Sequence, residues 1–355
     1  MTQKKLLIAG GGTGGHLFSG IAVARIWQQQ KGEVCFVGTP LGQETSVIPK
    51  EGFRLNLFKI GRLKGSSLFS KILTLLTLPK ALWAAYRLIV RERPHVILGI
   101  GGYASGPLCL MGVVKKIPTA IVDQNATPGL TNRILGKVVD RIFLSFPLKK
   151  NLFKEKKIRV FGNPVRNEIQ KTPYVSPQNK MTILIFGGSQ GAVSLNQVFI
   201  EAIALLPELK DRLEIFHQAG KTDEDTLKQF YQNCGISATV KRFFDNPQHC
   251  YAKAHLVISR AGGGTVSELS ITGRPAILIP YPFAADNHQW ENAMYFAENK
   301  AAWIYKQEEL TPEGLAKTIR DLFEHPEILL KTAENMSKLA LPNAAERIVE
   351  ELINL

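Results

Sequence analysis

The segment KLLIAGGGTGGH, residues 5–16, decides the fold: a short apolar strand runs into a glycine cluster, and a stretch that favours a helix follows. The second half repeats this pattern in MTILIFGGSQG, residues 181–191. Such a turn lets backbone N–H groups and the start of a helix approach an anion closely. Each half therefore begins its own strand–turn–helix domain, and two such domains face to face would form a cleft for a phosphate-bearing substrate.

Apolar strands and helical segments alternate along both halves, which predicts an α/β fold with parallel sheets. Strands are expected at 5–9, 33–37, 95–99, 118–122 and 141–145, and then at 181–186, 213–217, 239–243, 255–259, 275–280 and 302–305. We expect domains at 1–162 and 163–341, joined by a proline-spaced linker. The last segment, 342–355, forms a helix that could pack on either domain, and we expect it to return to the first.

The composition fits an ordinary globular protein, since 45% of the 355 residues are hydrophobic and 21% are charged. Four cysteines show neither CxxC pairing nor metal-ligand spacing, which favours a reduced cytoplasmic setting. The first apolar run is too short for a signal peptide, and no stretch approaches the roughly 20 apolar residues of a membrane-spanning helix.

The net charge of +14 is unevenly distributed. Residues 1–165 hold 25 Lys and Arg against 7 Asp and Glu, or +18, whereas residues 166–355 hold 19 against 23, or −4. The asymmetry indicates that only the first domain meets a large anionic partner, either nucleic acid or an anionic membrane surface. A generally basic proteome is the plain alternative.

Residues 62–93 combine basic and apolar side chains, and residues 72–79 carry no charge. The apolar positions occupy more than one stripe, so we expect some to stay exposed and contact a membrane without spanning it. The alternative is a helix that covers the sheet, kinked or split at Pro79. The expected membrane-contact residues are Leu68, Phe69, Lys71, Ile72, Leu75, Leu76, Lys80 and Trp83.

The first glycine loop permits more than one kind of chemistry. Gly10, Gly12 and Gly15 satisfy the dinucleotide-binding spacing, so a nicotinamide-dependent oxidoreductase has to be considered. However, His16 follows directly, where such proteins need a small or apolar residue. His16 could accept a proton or donate a hydrogen bond at the loop, or it could simply cap the helix.

Further loops follow predicted strands in both halves. GIGGYASG, residues 99–106, and DQN, residues 123–125, lie at the edge where α/β sheets bind ligands. Asp123 could be a base, an orienting group or a helix-start carboxylate. In the second half, RAGGGTVSE, residues 260–268, forms an anion cradle at a helix start, and residues 280–289 carry Asp, Asn, His and Gln in a row.

Seven segments together resemble the MurG family of N-acetylglucosaminyltransferases in content and order: GGGTGGH (10–16), GGYASGP (101–107), DQN (123–125), GNPVR (162–166), GGSQGA (187–192), RAGGGTVSE (260–268) and DNHQ (286–289). The resemblance implies a GT-B fold, with two Rossmann-like domains whose parallel sheets face each other across a cleft. It also implies inverting transfer of GlcNAc from UDP-GlcNAc to the 4-hydroxyl of MurNAc in lipid I, giving lipid II. No cofactor and no metal are implied.

The resemblance places most of the donor site in the second domain. Arg166 and Ser189 would approach the uracil or the diphosphate, and Phe244 would line the uracil pocket through its backbone. Gly263, Gly264 and Thr265 would bind phosphate, and Val266 and Ser267, which follow them, would also belong to the substrate-binding residues. Glu268 would bind the ribose hydroxyls, and His288 and Gln289 would bind the GlcNAc hydroxyls.

In the first domain, the resemblance implies that Thr13, Gly14, Gly15 and Asn125 close over the sugar and the acceptor, with His16 as the candidate base. One departure affects the role of Asp123. The family usually has His-Glu before Gln-Asn, whereas this chain has Val122 and Asp123, so its carboxylate is one methylene shorter.

The implied setting is peptidoglycan synthesis, and with it cell wall biogenesis, cell shape, cell division and the cell cycle. The expected partners are UDP-GlcNAc, lipid I, the anionic cytoplasmic leaflet of the cell inner membrane and other cell-wall synthesis proteins, but no nucleic acid. The protein would be peripheral on the cytoplasmic face. The alternatives are another UDP-sugar-using GT-B enzyme such as a UDP-GlcNAc 2-epimerase, the oxidoreductase, and a non-enzymatic nucleic-acid or membrane binder.

Overall fold

The computed structural model describes residues 4–11, 14–40, 42–58, 68–102, 104–188 and 191–355, and for residues 68–77 it describes only the helical backbone. The chain divides into two compact units. The first unit comprises Met1–Arg166 together with Pro342–Leu355, and the second comprises Asn167–Leu341.

The first unit is built on a parallel sheet. Its described strands are β1 (Lys5–Ala9), β2 (Glu33–Gly38), β3 (Arg54–Leu57), β4 (Val96–Gly99), β5 (Thr119–Asp123), β6 (Arg141–Leu144) and β7 (Ile158–Val160). Their order across the sheet is β3-β2-β1-β4-β5-β6-β7. The sequence did not predict β3 and β7, which form the two edges and are only partly buried.

Helices cover both faces of this sheet. Those of the first unit are α1 (Gly14–Gln29), α2 (Glu44–Lys50), α3 (Leu68–Glu92), α4 (Ser105–Val114), α5 (Leu130–Leu135), a 3₁₀ turn (Glu155–Lys157) and a C-terminal helix (Ala344–Ile353). The predicted split of α3 at Pro79 is wrong, because the helix continues through that residue, whereas a kink there stays a prediction.

The core of the first unit explains why β1 reads as a continuous apolar run. Leu6 and Ile8 pack on one face with side chains of α1 and with Ile348 of the C-terminal helix. Leu7 and Ala9 pack on the other face with side chains of α3 and α4. A parallel strand covered on both faces has no polar side. The C-terminal helix therefore belongs to the same core as α1.

The second unit repeats the design. Its described strands are β8 (Met181–Phe186), β9 (Leu213–Gln218), β10 (Ser237–Lys241), β11 (Leu256–Ser259), β12 (Ala276–Leu278) and β13 (Ala302–Ile304), in the parallel order β10-β9-β8-β11-β12-β13. Its helices are α6 (Val193–Ala204), α7 (Glu224–Cys234), α8 (Pro247–Lys253), α9 (Gly263–Thr272), α10 (His288–Glu298), α11 (Pro312–Glu324) and α12 (Pro326–Lys338), with 3₁₀ turns at Pro207–Arg212 and Ala285–Asn287. The predicted α/β class is confirmed.

The strand order fixes where each unit can bind a ligand. In the first sheet the chain order reverses between β1 and β4, and in the second it reverses between β8 and β11. Parallel α/β sheets bind ligands outside the carboxyl ends of their strands at such switch points. The glycine loops that follow these four strands are therefore the candidate sites.

Candidate functional site

In the first unit, the loops after β1, β4 and β5 lie side by side, because these strands are neighbours and run in the same direction. Gly10 and Ile100 continue the sheet, since the N–H of Ile100 donates to the carbonyl of Ala9 at 2.8 Å. The three sequence motifs that contain His16, Gly101 and Asp123 therefore meet at one edge.

Glycines allow the first two loops to touch. A Cβ atom on Gly101 would lie 2.9 Å from the His16 ring, and one on Gly102 would overlap the backbone of Gly11. Both Gly101 and Gly102 have positive φ, at 101° and 78°. Only glycine fits such an approach in that conformation. The second glycine loop thus makes room for the imidazole that the sequence singled out.

Hydrogen bonds of Ser105 connect the loops after β1 and β4. Its hydroxyl lies 2.6 Å from the carbonyl of Ala9 and 2.7 Å from that of Gly101, and it accepts from the N–H of Gly101 at 3.1 Å. The side chain is fully buried. The first turn of α4 therefore fixes the spacing between the loops after β1 and β4.

Asp123 holds the third loop. Its carboxylate accepts hydrogen bonds from the N–H of Asn125 at 3.0 Å, the N–H of Gly129 at 3.2 Å and the side-chain amide of Asn132 at 2.9 Å. Burial raises the pKa of Asp123 to about 6, although these hydrogen bonds act in the opposite direction. All three contacts order the segment that carries Asn125, so Asp123 supports a loop here.

Gln124 connects this loop to the first one. Its side-chain amide donates to the carbonyl of Gly15, with 3.4 Å between the nitrogen and the oxygen. Gly15 lies in the first turn of α1, directly before His16. The predicted residues Gly15, His16 and Asn125 are thereby brought together. Thr13 lies outside the described residues.

Glu44 is a residue to which the sequence interpretation assigned no role. It begins α2, is almost completely buried, and accepts from the N–H and the hydroxyl of Thr39 at 2.8 and 3.0 Å. A Cβ atom on Gly11, Gly38 or Gly42 would overlap its side chain. Gly38 and Gly42 lie within six residues of this buried carboxylate, but Gly11 is 33 residues away, and its contact with Glu44 cannot be read from the sequence.

In the second unit, the loops after β8 and β11 occupy the equivalent position. Gly188 and Gly191 have φ of 75° and 71°, which glycine adopts without strain. The loop after β11 leads into α9, whose N-cap, Gly262, makes no side-chain capping bond. The first N–H groups of a helix lack intrahelical partners and favour an anion. Gly263, Gly264 and Thr265 lie in this first turn.

The rest of α9 divides into buried and accessible positions. Val266 is fully buried, and the hydroxyl of Ser267 donates to the carbonyl of Gly263 at 2.8 Å. Glu268 is only partly buried, and its Oε2 accepts from the hydroxyl of Tyr251 at 2.9 Å. The residues predicted to bind the phosphates and the ribose therefore follow one another along the first two turns of α9.

Arg260 organises the surrounding loops. It is buried and donates to the carbonyls of Ile279 and Pro280 at 3.1 and 3.3 Å, and to Gln307 at 2.5 Å. Burial lowers its pKa. It joins the loop after β11 to the loop after β12, and these partners cannot be read from the sequence.

The loop after β12 is tightly bent. Asp286 and Asn287 have φ of 50° and 53°, a conformation that non-glycine residues seldom adopt. Gln289 accepts from the N–H of Tyr281 at 2.9 Å through its side-chain oxygen, and the ring of His288 lies 2.6 Å from the carbonyl of Ala285. His288 and Gln289, the residues predicted to bind GlcNAc hydroxyls, thus stabilise the loop in which they lie.

Gln218 links the remaining donor-side residues. Its side-chain oxygen accepts from the N–H of Phe244 at 3.2 Å, and its amide donates to the carbonyl of Gly188 at 3.3 Å. The backbone N–H of Phe244 is therefore engaged inside the protein. Ser189, in the same loop as Gly188, lies outside the described residues.

Arg166 lies in the first unit, at its boundary with the second. Its guanidinium stacks on the ring of Phe18, with 4.0 Å between the carbon and the ring centre. Nearby, the hydroxyl of Ser19 donates to the side-chain oxygen of Asn163 at 2.9 Å. The segment 162–166 is thereby attached to α1, just after His16.

Among the residues expected to contact a membrane, the structure describes the side chains of Lys80 and Trp83. Trp83 is 61% exposed, with the Arg87 guanidinium 4.8 Å from the centre of its ring. Lys80 is exposed as well. The predicted contacts Leu68, Phe69, Lys71, Ile72, Leu75 and Leu76 lie where side chains are not described.

The described part of the chain shows neither a membrane-spanning helix nor a metal-binding cluster. No helix there is long and apolar enough to cross a membrane. Likewise, within the described ranges no group of three His, Cys, Asp or Glu side chains is placed to hold a metal ion.

Comparison with known proteins assigns the family. Residues 6–144 match the glycosyltransferase family 28 N-terminal domain, and residues 182–348 match the family 28 C-terminal domain. A Myxococcus xanthus protein named UDP-N-acetylglucosamine--N-acetylmuramyl-(pentapeptide) pyrophosphoryl-undecaprenol N-acetylglucosamine transferase is 42% identical, over 99% of this chain and 93% of its own length. The chain belongs to the MurG family.

Solved structures agree with this assignment. The crystal structure of Acinetobacter baumannii MurG matches with a TM-score of 0.81 and 30% identity, covering 99% of this chain and 100% of that one. The predicted GT-B-like fold is confirmed. A putative UDP-N-acetylglucosamine 2-epimerase from Listeria monocytogenes, at 17% identity and a TM-score of 0.68, shares the fold alone. Membership of the MurG family makes the chain a glycosyltransferase, so the oxidoreductase interpretation is wrong.

Proposed function

We propose that this chain transfers GlcNAc from UDP-GlcNAc to the 4-hydroxyl of MurNAc in undecaprenyl-pyrophosphoryl-MurNAc-pentapeptide, converting lipid I to lipid II. The observation that carries the proposal is the 42% identity, over 99% of the chain, to a transferase with this name. The glycine loops at both switch points supply the chemistry that the reaction needs.

The donor binds in the second unit. N–H groups from Gly263, Gly264 and Thr265 at the start of α9 face the diphosphate, and Glu268 accepts hydrogen bonds from the ribose hydroxyls. Phe244 borders the uracil, with Ser189 toward the uracil or the diphosphate. His288 and Gln289 bind the GlcNAc hydroxyls. Donors fixed at a helix start stabilise the negative charge that develops on departing UDP.

The acceptor binds in the first unit, where the loops after β1, β4 and β5 converge. Thr13, Gly14, Gly15 and Asn125 hold the reacting sugars, and His16 takes the proton from the MurNAc 4-hydroxyl. The new bond joins that oxygen to C1 of GlcNAc as the bond from C1 to the UDP phosphate oxygen breaks. Attack from the opposite face inverts C1 and gives the β-1,4 linkage.

The first unit also docks on the anionic cytoplasmic leaflet, where the lipid acceptor resides. Exposed apolar side chains on α3, α4 and α5 support this, including Trp83, Val114 and Ile134. Cations lie beside the aromatic ones: Arg87 stacks on Trp83, and Lys115 is 5.2 Å from the centre of the Tyr86 ring. Apolar contacts ringed by Lys and Arg suit a peripheral attachment.

The decisive experiment supplies UDP-GlcNAc labelled in the sugar, with and without a lipid I analogue. We expect labelled disaccharide only when the analogue is present, with a β linkage by NMR. Without the analogue, the sugar should remain GlcNAc. Epimerised sugar in the absence of acceptor would instead support the 2-epimerase alternative, and no transfer to the analogue would overturn the proposal.

A further inference from the structure

A buried tyrosine contacts the carboxylate proposed to read the ribose. Tyr251, in α8, is fully buried, and its hydroxyl donates to Oε2 of Glu268 at 2.9 Å. Glu268 lies in the second turn of α9, just past the helix start that faces the diphosphate. A hydrogen bond to a carboxylate is shorter and stronger than one between neutral groups.

The ring of Tyr251 is itself fixed. It meets the ring of Phe186 edge to face, with 6.0 Å between the centres, and Phe186 is the last residue of β8. Tyr251 therefore joins α8, α9 and the strand that leads into the donor-side glycine loop. A glutamate side chain that is not held in place samples several rotamers, and ordering it costs free energy at the moment of binding.

We infer that Tyr251 is a positioning residue for ribose recognition: it fixes the Glu268 carboxylate so that this group accepts hydrogen bonds from the ribose hydroxyls of a uridine diphosphate. A carboxylate has about four acceptor positions, so the bond from Tyr251 leaves it the capacity to accept from hydroxyls. The inference rests on the proposed function, which assigns the ribose to Glu268.

The predicted consequence is a preference for ribonucleotides that depends on Tyr251. Tyr251→Phe keeps the ring and removes only the hydroxyl. We expect the ratio of Kd values for 2′-deoxy-UDP or 3′-deoxy-UDP over UDP to fall by roughly 5- to 10-fold, as loss of one hydrogen bond would give. The KM for UDP-GlcNAc should rise by a similar factor while kcat changes little. Titration calorimetry with the full chain measures the ratio.

Tyr231→Phe is the matched control. Tyr231, in α7, is also buried in the second unit. Its hydroxyl lies 2.7 Å from Nδ1 of His217, which is in β9. Removing it should lower Tm as loss of a buried hydrogen bond does, yet leave the discrimination between UDP and its deoxy analogues unchanged. A general loss of packing would affect both variants alike.

A double-mutant cycle tests whether the tyrosine acts through Glu268. In a Glu268→Gln background, Tyr251→Phe should reduce discrimination little further, because the two groups act as one. If Tyr251→Phe does not fold, Glu268→Asp supplies the test, since it moves the carboxylate without changing the core. Full discrimination in Glu268→Asp would show that carboxylate position does not matter and would overturn the inference.

The outcomes separate this inference from the proposed function. If the wild-type chain binds UDP with a ribose preference and Tyr251→Phe retains it, the tyrosine is only structural. If the wild-type chain binds UDP but ignores the ribose hydroxyls, the assignment of Glu268 fails while transfer activity can stand. If the wild-type chain does not bind UDP at all, the proposed function fails and the inference falls with it.

Discussion

Asp123 is subject to two opposing effects. Burial raises its pKa from 3.8 to about 6, whereas hydrogen bonds from Asn132, Asn125 and Gly129 favour the charged form. A carboxyl group whose pKa is higher in the folded state contributes stability below its unfolded pKa, and this contribution is lost as pH rises through the folded pKa. At neutral pH the ionised group therefore costs about 3 kcal/mol of unfolding free energy. In return, its charge orders the loop that carries Asn125.

Replacing Asp123 with Asn should remove this pH dependence. The wild-type chain should lose about 2–3 kcal/mol of stability relative to Asp123→Asn as pH rises from 4 to 8, most of it between pH 4 and pH 6, the interval between the unfolded and folded pKa values. Urea denaturation of both proteins across this range measures the difference. A difference that stays constant with pH would show that Asp123 does not titrate there. In the same variant, the KM for a lipid I analogue should rise while UDP affinity stays the same.

At this scale the sequence identified the residue but not its partners. The sequence leaves three roles for Asp123, as a base, an orienting group or a helix-start carboxylate, because each of these roles is compatible with an acidic residue directly after a strand. The structure shows contacts reaching as far as Asn132, nine residues along. Contacts set by a loop's path cannot be derived from spacing, and for the same reason Tyr251 and Gln218 were missed.

Among the elements, the glycine loops were predictable and their supports were not. A strand followed by glycines marks close backbone approach, which the positive φ of Gly101 and Gly188 bears out. The helix α2 was missed because it has only 7 residues and contains Pro49. Yet α2 contributes Glu44, which lies against Gly11 of the first loop. A short helix therefore supports the loop proposed to hold the acceptor.

Glu44→Ala should disturb this loop selectively. It removes the acceptor of the Thr39 N–H and leaves space beside Gly11, so we expect a loss of about 1–3 kcal/mol in stability. Because the loop carries His16, kcat/KM for transfer should fall by more than about tenfold, as a displaced catalytic group would. UDP affinity, which belongs to the second unit, should not change. Denaturation, transfer kinetics and UDP titration measure the three quantities.

Glu51→Ala provides the comparison. Glu51 follows α2 and pairs with Arg25 at a partly exposed site, so its loss should change stability by less than about 1 kcal/mol. Transfer should remain near the wild-type rate. Equal losses of kcat/KM in Glu44→Ala and Glu51→Ala would indicate that α2 matters only as a whole, and would contradict a specific role of Glu44.

For the whole molecule, the sequence predicted the central strands better than the edges. Strands such as β1 and β8 are apolar throughout because both faces are covered, whereas β3 and β7 alternate weakly and are only partly buried. An edge strand is specified by its one neighbour, and this pairing leaves little trace in composition. The charge asymmetry between the two units follows from counting charged residues in the sequence. Which apolar side chains of the basic unit are exposed could be found only from the structure.

The membrane proposal leads to a prediction about the first unit. Trp83 and Tyr86 are exposed on α3, each beside a cation, so replacing both with Ser should leave the core intact. We expect binding to vesicles of phosphatidylglycerol and phosphatidylethanolamine to fall by about tenfold or more, because apolar contact area is lost. Cosedimentation measures this binding, and UDP titration should be unchanged.

Charge and location can be separated from mere exposure with two further variants. Arg87→Glu with Lys115→Glu should weaken vesicle binding strongly at low salt and little at high salt, since each basic residue near an anionic surface contributes about 1 kcal/mol. Ile328→Ser with Leu330→Ser removes apolar side chains that are 43% and 41% exposed on α12 of the second unit. This control should bind vesicles like the wild-type chain. If it weakens binding as much as the α3 variant does, the attachment is not specific to the basic unit, and the docking surface proposed on α3 to α5 is wrong.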